Sequence, residues 1–457
     1  MFIARMVLID MKRVLFISPY FAPENEIAAI RATKLAKFLS LDGYEVTVFC
    51  KRQCSPTKDE TLTKDAENVY RIIRLECPKM IRALYYIIFK RQYYQGIDEK
   101  KNITGDTYTK SNLSTVIAKP SQFKVLVAST LTYIFSQLDE LSFISKTKKQ
   151  IRAEAVHYEI VFSTFSPRSS HQISAYLKKR QYSDKWIADF RDNIKPSDSQ
   201  YTAKDIRYLN SVKKYADSIT IVSESIMPYL QNSGKLTVLT NGYDLEDVPH
   251  TKPIKSNDRL KFVYTGSLYG GRRDLSVLFR VLYELSKEGI LSLDCIELAY
   301  AGRDFSNLSA QAQLYDCLSI IQNYGYISRA ESIELQNNAD ILLLASWNTV
   351  GSTGILTGKF YEYLMMEKPI VCFITGNLPD STLKEMIQDA NVGCCWEEAE
   401  GDSGYQRLKK FIAVVYAEYM KKAEIQFYPN KEYFEKFHYK NITRQLEVLI
   451  ETERSWR

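Results

Sequence analysis

Three clusters of polar residues carry the chemistry of this sequence. The first lies in STGILTGKFYEYLMMEKPIV, Ser352–Val371. Gly351, Gly354 and Gly358 let the backbone take positive φ and come close to a ligand. The helix opening at Thr357–Lys359 offers unpaired N–H groups and roughly half a positive charge, which suits a phosphate. Lys359 adds a cation, and Glu362, about one turn in, can accept two hydrogen bonds from a vicinal diol such as a ribose. A Glu there serves the helix dipole from solvent equally well. The second cluster is GSLYGGRRD, Gly266–Asp274. Gly266, Ser267, Gly270 and Gly271 precede Arg272 and Arg273, an arrangement that suits an anion cradle of backbone N–H groups and guanidinium forks. The same residues also make an ordinary Gly-Gly turn beside arginines. The third is Asp189, Arg191 and Asp192 in WIADFRDN. A carboxylate there takes a proton from a hydroxyl, or it pairs with Arg191 and holds the loop. His171, one turn into its own helix, either reaches the same cleft or serves as a cap or surface residue.

These clusters need a parallel α/β scaffold. An apolar run at Ala339–Ser346, a glycine loop, a helix at Lys359–Glu367 and the strand IVCFI form one unit of such a sheet, whose ligands sit beyond the carboxyl ends of the strands. The first half shows the same rhythm, with strands at Arg13–Ser18, EVTVFC and Val69–Leu75. A helix at Ile27–Leu41 lines up Ala28, Ala32, Leu35, Phe38 and Leu39. The rhythm stops between Cys77 and Glu154. It resumes with strands at Glu159–Ser166, Trp186–Phe190, Ala216–Ser223 and Lys235–Gly242. The first turn lacks G-x-G-x-x-G, which weighs against a dinucleotide dehydrogenase. Tyr243–Asp258, with two prolines, reads as a linker. Strands at Leu260–Thr265, Ile296–Gly302 and Tyr324–Ser328, with a helix at Asp380–Asp389, make a second unit. A helical tail, Lys431–Glu453, closes the chain.

At 457 residues the chain accommodates two domains, and 45% hydrophobic content excludes a disordered one. Its eight cysteines form no C-x-x-C pair, and none of its four histidines completes a metal site. Reduced thiols and no metal are the expectation. No apolar run reaches the ~18 residues that span a bilayer, and the first ten residues make a poor signal peptide. A net charge of +7 is modest and asks for no nucleic-acid partner. Ile81–Tyr94 and Gln122–Lys149 mix aromatic and aliphatic residues with Lys and Arg, as a helix lying in a lipid interface does. A helical pair packed on its own domain has the same composition.

The run GKFYEYLMMEKPIV resembles the donor-binding element of retaining GT-B glycosyltransferases of the group-1, or family-4, type. In that family one Glu contacts the transferred sugar, and a second Glu eight residues later holds the nucleotide ribose. Glu362 matches the second and Gly354 stands at the first. KWIADFRDN resembles the WIADFRDPW signature of the same enzymes, with Asn193 and Ile194 replacing Pro-Trp. GSLYGGRRD is similar to a loop in which an Arg and a Lys neutralise the donor diphosphate. Ser267 stands at the Arg and Arg272 at the Lys, with Arg273 beside it. Tyr326 and Ile327 match a loop that meets the nucleobase.

The resemblance implies two Rossmann-like α/β domains facing a cleft. They would span an acceptor domain at 11–242 (with an insertion at 77–154), a linker at 243–258 and a donor domain at 259–430. A C-terminal helix, 431–457, would cross back to the first domain. It further implies transfer of a sugar from a nucleotide-diphosphate sugar, a co-substrate rather than a cofactor, to a polysaccharide or lipid-linked glycan. Bacterial capsule, O-antigen or exopolysaccharide synthesis is the implied setting, in the cytoplasm and peripherally on the inner membrane face. The absence of D-x-D fits metal-independent transfer. Two other readings share the fold: a sugar-nucleotide 2-epimerase, and a non-catalytic sugar-nucleotide-binding or scaffold subunit.

Overall fold

The computed structural model describes residues 11–24, 27–52, 58–76, 78, 79, 83, 122–194, 200–224, 229–230, 234–249, 258–353 and 356–452. Among them are two parallel sheets. The first contains β1 (Arg13–Ile17), β2 (Glu45–Lys51), β3 (Arg71–Leu75), β4 (Tyr158–Phe165), β5 (Ser183–Phe190), β6 (Ser218–Ile221) and β7 (Leu236–Val238), in the order β3-β2-β1-β4-β5-β6-β7. Val14, Leu15, Phe16 and Ile17 are fully buried, as a strand covered on both faces must be. Helices α1 (Ile27–Leu41) and α2 (Glu60–Ala66) cover one face. Helices α3 (Gln122–Glu154), α4 (Ser169–Lys179) and α5 (Ala203–Tyr215) cover the other.

The second sheet contains β8 (Leu260–Thr265), β9 (Ile296–Ala301), β10 (Ile321–Gly325), β11 (Ile341–Trp347), β12 (Ile370–Thr375) and β13 (Gly393–Glu397), in the order β10-β9-β8-β11-β12-β13. Helices α6 (Ser276–Lys287), α7 (Phe305–Gln313) and α11 (Gly401–Lys422) pack on one side. Helices α8 (Arg329–Asn337), α9 (Gly358–Leu364) and α10 (Thr382–Asp389) pack on the other. The strand β13 and the 22-residue α11 are additions to the sequence reading.

The tail differs from the single helix expected. It forms α12 (Lys431–Glu435) and α13 (Tyr439–Glu451), because the backbone between them is spent elsewhere. Tyr243 N–H donates to Phe437 O at 3.0 Å, and Tyr439 N–H donates to Tyr243 O at 2.9 Å. A Cβ at Gly242 would lie 2.4 Å from Phe437 O, so only glycine admits this crossing. Beyond it, α13 returns to the first sheet and buries Ile442, Leu446 and Ile450 with Leu35 and Leu39 of α1.

Most of the insertion, including all of Ile81–Tyr94 except Ala83, lies outside the described residues. Its α3 buries Phe143 and Ile151, and Lys51 of β2 pairs with its Asp139 and Glu140. Leu131, Ile134, Leu138 and Leu141 recur at helical spacing and are exposed.

Candidate functional site

Helix α1 carries Arg31, Lys34 and Lys37 on its apolar side, and all three are buried. Buried cations need partners, and the structure supplies them from distant sequence. Lys34 Nζ lies 2.7 Å from Asp65, 2.7 Å from Asp244 and 2.6 Å from Asp247. Lys37 Nζ meets Asp65, Asp244 and Glu246 at 2.7–2.8 Å. Burial alone would lower both lysine pKa values, but these carboxylates raise them. Asp65, Asp244 and Glu246 are close enough to hold a cation, and the two ammonium groups already occupy that place. The segment expected to be a plain linker therefore begins as an ionic anchor on α1.

Asp247 extends the network into the second sheet. It accepts from Arg329 Nη2 at 2.8 Å, at the first position of α8. Arg329 Nη1 stands 3.6 Å from Asp59, the N-cap of α2. Its Nε stands 3.9 Å from Glu362 Oε2, too far for a hydrogen bond. Glu362 Oε1, in contrast, accepts from Lys359 Nζ at 2.7 Å and from Gln336 Nε2 at 2.6 Å. Burial pushes the Glu362 pKa up, but Lys359, Arg329 and these hydrogen bonds outweigh it and hold the carboxyl below its usual range. One oxygen of Glu362 is thus anchored, and the other makes no hydrogen bond among the described residues.

This carboxylate lines a cavity of about 530 Å³ at the carboxyl ends of β8, β9 and β10. Gly266 and Ser267, Tyr326 and Ile327, and Gly358, Lys359 and Glu362 all border it, together with Ile30 of α1 and Tyr439 of α13. The cavity therefore joins both halves of the chain. Its volume falls within the range of small-molecule sites. Gly266 has φ 130°, and a Cβ at neighbouring Gly302 would lie 2.3 Å from Gly266 O. Arg303 stacks on Tyr326 at 4.1 Å to form part of the rim.

The glycine-arginine loop differs from the open cradle the sequence suggested. Asp304 Oδ2 takes Ser267 Oγ and Leu268 N, each at 2.6 Å. Gly271 N and Arg273 N donate to Leu268 O, and Tyr269 N donates to Ser267 Oγ. An anion is already seated on this turn, and it belongs to the chain itself. Arg272 and Arg273 rest against Trp347, and Arg273 also covers Tyr269. Neither arginine lines the cavity. Gly270 and Gly271, with φ 65° and 93°, shape the turn that places them there. At α9 the Thr357 hydroxyl accepts from Lys359 N at 3.0 Å, so that helix N–H is satisfied internally. Gly354 lies outside the described residues.

The third cluster does not gather at the cavity. Asp189 is fully buried, held by Arg31 Nη2 at 2.8 Å, Arg31 Nε at 3.0 Å and Thr220 Oγ1 at 2.7 Å. Its ion-pair partner is Arg31 of α1 rather than Arg191. A carboxylate so enclosed braces β5 against α1, and an acceptor hydroxyl cannot reach it without rearrangement. Arg191 donates to Ser166 O at 3.1 Å and stands 3.6 Å from the largely exposed Asp192, so the expected pairing with Arg191 falls to Asp192 rather than Asp189. His171 is neither cap nor cleft residue: it is buried among Trp186, Phe190 and Tyr208. Burial pushes its pKa down to about 3.

Arg31, Lys34, Arg329 and Gln336 are the residues the sequence reading missed. The signal for the first two was visible in RATKLAK: cations at three-residue spacing on the side of α1 that carries Leu35 and Leu39. Arg329 and Gln336 gave none, because their partners come from distant segments.

No protein-family model and no curated protein matches the sequence. Solved structures do. A sucrose-phosphate synthase from Thermosynechococcus elongatus is 13% identical, with a TM-score of 0.57 over 96% of this chain and 98% of that one. The lipopolysaccharide outer core galactosyltransferase WaaB, in its apo form, is 12% identical, with a TM-score of 0.54 over 96% and 99%. A putative UDP-N-acetylglucosamine 2-epimerase from Listeria monocytogenes is 12% identical, with a TM-score of 0.50 over 97% and 98%. What these proteins share with the chain is the fold. Two parallel sheets of 7 and 6 strands, a cleft between them and a helix returning to the first sheet make the GT-B arrangement.

Proposed function

We propose that the chain is a glycosyltransferase that moves a sugar from a nucleotide-diphosphate sugar to a glycan or lipid-linked acceptor. One observation carries this reading: a single cavity brings together loops from the ends of β8 and β10 and the start of α9, with Glu362 Oε2 making no hydrogen bond among the described residues. That oxygen would accept from a ribose diol. Tyr326 and Arg303 would flank the base.

In the reaction, the bond from the anomeric carbon to the diphosphate oxygen breaks as the bond to the acceptor oxygen forms, and the proton of the acceptor hydroxyl passes to the departing diphosphate. Negative charge then grows on the leaving diphosphate, and cations placed there lower the barrier. Arg303, Arg329 and Lys359 line the cavity, but so do Asp247, Asp304 and Glu362. Three cations facing three carboxylates leave no surplus for the incoming diphosphate. Arg272, exposed and with its guanidinium against Trp347, is the residue we assign to turn inward and supply it. Retention of anomeric configuration, independence of metal and a role in surface-polysaccharide synthesis belong to the same proposal.

The acceptor side would be bounded by α1 and the loop at Arg191 and Asp192. Among the described residues no helix is long and apolar enough to cross a membrane. The exposed stripe of Leu131, Ile134, Leu138 and Leu141 supports contact with a membrane surface, where a lipid-linked acceptor would reside.

A thermal-shift panel of nucleotide sugars tests the donor site, since a ligand bound only by the folded state stabilises it by mass action. One nucleotide sugar should raise the melting temperature, and Glu362→Gln should diminish the rise. Loss of the effect for every nucleotide sugar sinks the proposal. Incubation of the stabilising donor alone separates transfer from epimerisation, which needs no acceptor.

A further inference from the structure

A second cavity, of about 300 Å³, opens between α4 and α5 on the outer side of the first sheet and shares no lining residue with the first. Trp186, His171 and Tyr208 line its interior, and Arg168, Lys204 and Arg207 its edge. The interior is polar in an unusual way. Trp186 Nε1–H donates to Ser163 Oγ at 2.8 Å, and Ser163 Oγ lies 2.9 Å from His171 Nδ1. An indole N–H can only donate, so the serine keeps its own proton to give. Among the described residues no other acceptor takes it, so the tautomer that satisfies the serine proton has Nδ1 as its acceptor. His171 then carries its proton on Nε2.

That Nε2–H is buried and has no partner among the described residues, and the same holds for the Tyr208 hydroxyl. Burial keeps the imidazole neutral, so it contributes a donor rather than a charge. Around the edge, Arg168 is paired with Asp205 and lies over the Tyr208 ring at 5.2 Å. Lys204 and Arg207 are exposed, and neither forms an ion pair among the described residues. Two buried donors without acceptors and, above them, two cations without ion-pair partners among the described residues complement a compact anion with several acceptor oxygens.

We propose that the cavity between α4 and α5 is a phosphate-binding site, in which His171 Nε2 and Tyr208 Oη donate to the phosphate oxygens and Lys204 and Arg207 neutralise them. The inference is independent of the donor reading. The phosphate comes from a soluble phosphate monoester or from a lipid headgroup. The second source is worth testing because α3, with its exposed apolar stripe, lies beside α4, where Lys148 covers the Tyr176 ring at 4.6 Å.

The experiment uses the full chain and two probes: inorganic phosphate, titrated by calorimetry, and phosphatidylcholine vesicles with or without phosphatidic acid, followed by sedimentation. K204Q/R207Q alters only exposed side chains, and Tyr208→Phe removes only the unpartnered hydroxyl. The wild type should bind at least one probe, and K204Q/R207Q should weaken that binding by about tenfold or more. Tyr208→Phe should weaken it less. Both variants should keep the wild-type melting temperature and response to nucleotide sugars. Saturable phosphate binding without preference for phosphatidic acid assigns the site to a soluble monoester. Preferential sedimentation with phosphatidic acid, relieved by K204Q/R207Q, assigns it to a headgroup. Failure of the wild type to bind either probe, or equal binding by wild type and K204Q/R207Q, overturns the proposal.

Discussion

Arg329 holds Asp247 at 2.8 Å while its Nε stops 3.9 Å short of Glu362 Oε2. The arginine is therefore committed to the segment that joins the two sheets and only electrostatically engaged with α9. Lys34 binds the same Asp247 from α1. A continuous line of charge runs from the first sheet to the carboxylate on the cavity wall, and it leaves one oxygen of that carboxylate available.

Glu362→Gln keeps the shape of the side chain and removes its charge. Lys359 and Arg329 then lose the anion they face, and the diol loses a charged acceptor. Donor affinity measured by calorimetry should fall by about 1.5–3 kcal/mol, the usual worth of a charged hydrogen bond. Unchanged affinity would remove the ribose role from Glu362.

Replacing Arg272 and Arg273 together with Ala should lower turnover more than donor affinity. Their guanidinium groups sit against Trp347 and outside the cavity lining, so they contribute little to a cavity with balanced charge. If they move in as the diphosphate gains charge, their effect is confined to the transition state. Equal losses in kcat/KM and in donor Kd would indicate ordinary ground-state binding instead.

Arg31 and Asp189 test whether the WIADFRDN segment is a brace or a catalytic group. Both side chains are almost wholly buried. Removing one partner of such a pair strands the other, at a cost of about 3–5 kcal/mol. Arg31→Met and Asp189→Asn should each lower stability in urea unfolding, and R31M/D189L should recover part of the loss. Were Asp189→Asn to abolish turnover at wild-type stability, the bracing role would be wrong.

The fold was legible in the sequence because parallel strands such as RVLFIS and ADILLLAS are continuous apolar runs, and their buried faces follow directly. The position of Glu362 was legible for a related reason, since a glycine loop opening a helix leaves few places for its first-turn side chains. The partner of Asp189 was not: a carboxylate at a strand end looks the same whether it faces a cleft or an arginine 158 positions away. Asp304 was equally hidden, because nothing local to GSLYGGRRD shows that a carboxylate from the end of β9 will take its donors. The helix break at Phe437–Tyr439 depends on backbone bonds to Tyr243, which apolar periodicity does not register.

Acid should expose the buried network at Asp244. Burial alone would raise its pKa, but Lys34 and Lys37 overcome that and hold it at about 2. The folded value lies below the unfolded one, near about 3.9 for an ordinary Asp. The unfolded chain therefore binds the proton first. Its contribution to stability is full above about pH 4 and is lost as pH falls from there towards about 2, a change on the order of 2 kcal/mol. Glu362, also held below its usual range, follows the same sign, so donor binding should persist below the pH at which an ordinary Glu is half protonated. Urea unfolding at a series of pH values between neutral and about 2.5 reads the slope directly. Asp244→Asn should be less stable than wild type at neutral pH and should lose less on acidification, so the two curves converge. Parallel curves would mean that Asp244 bears no charge-linked stability, and that any ionic part of the anchor rests on the other partners of Lys34 and Lys37.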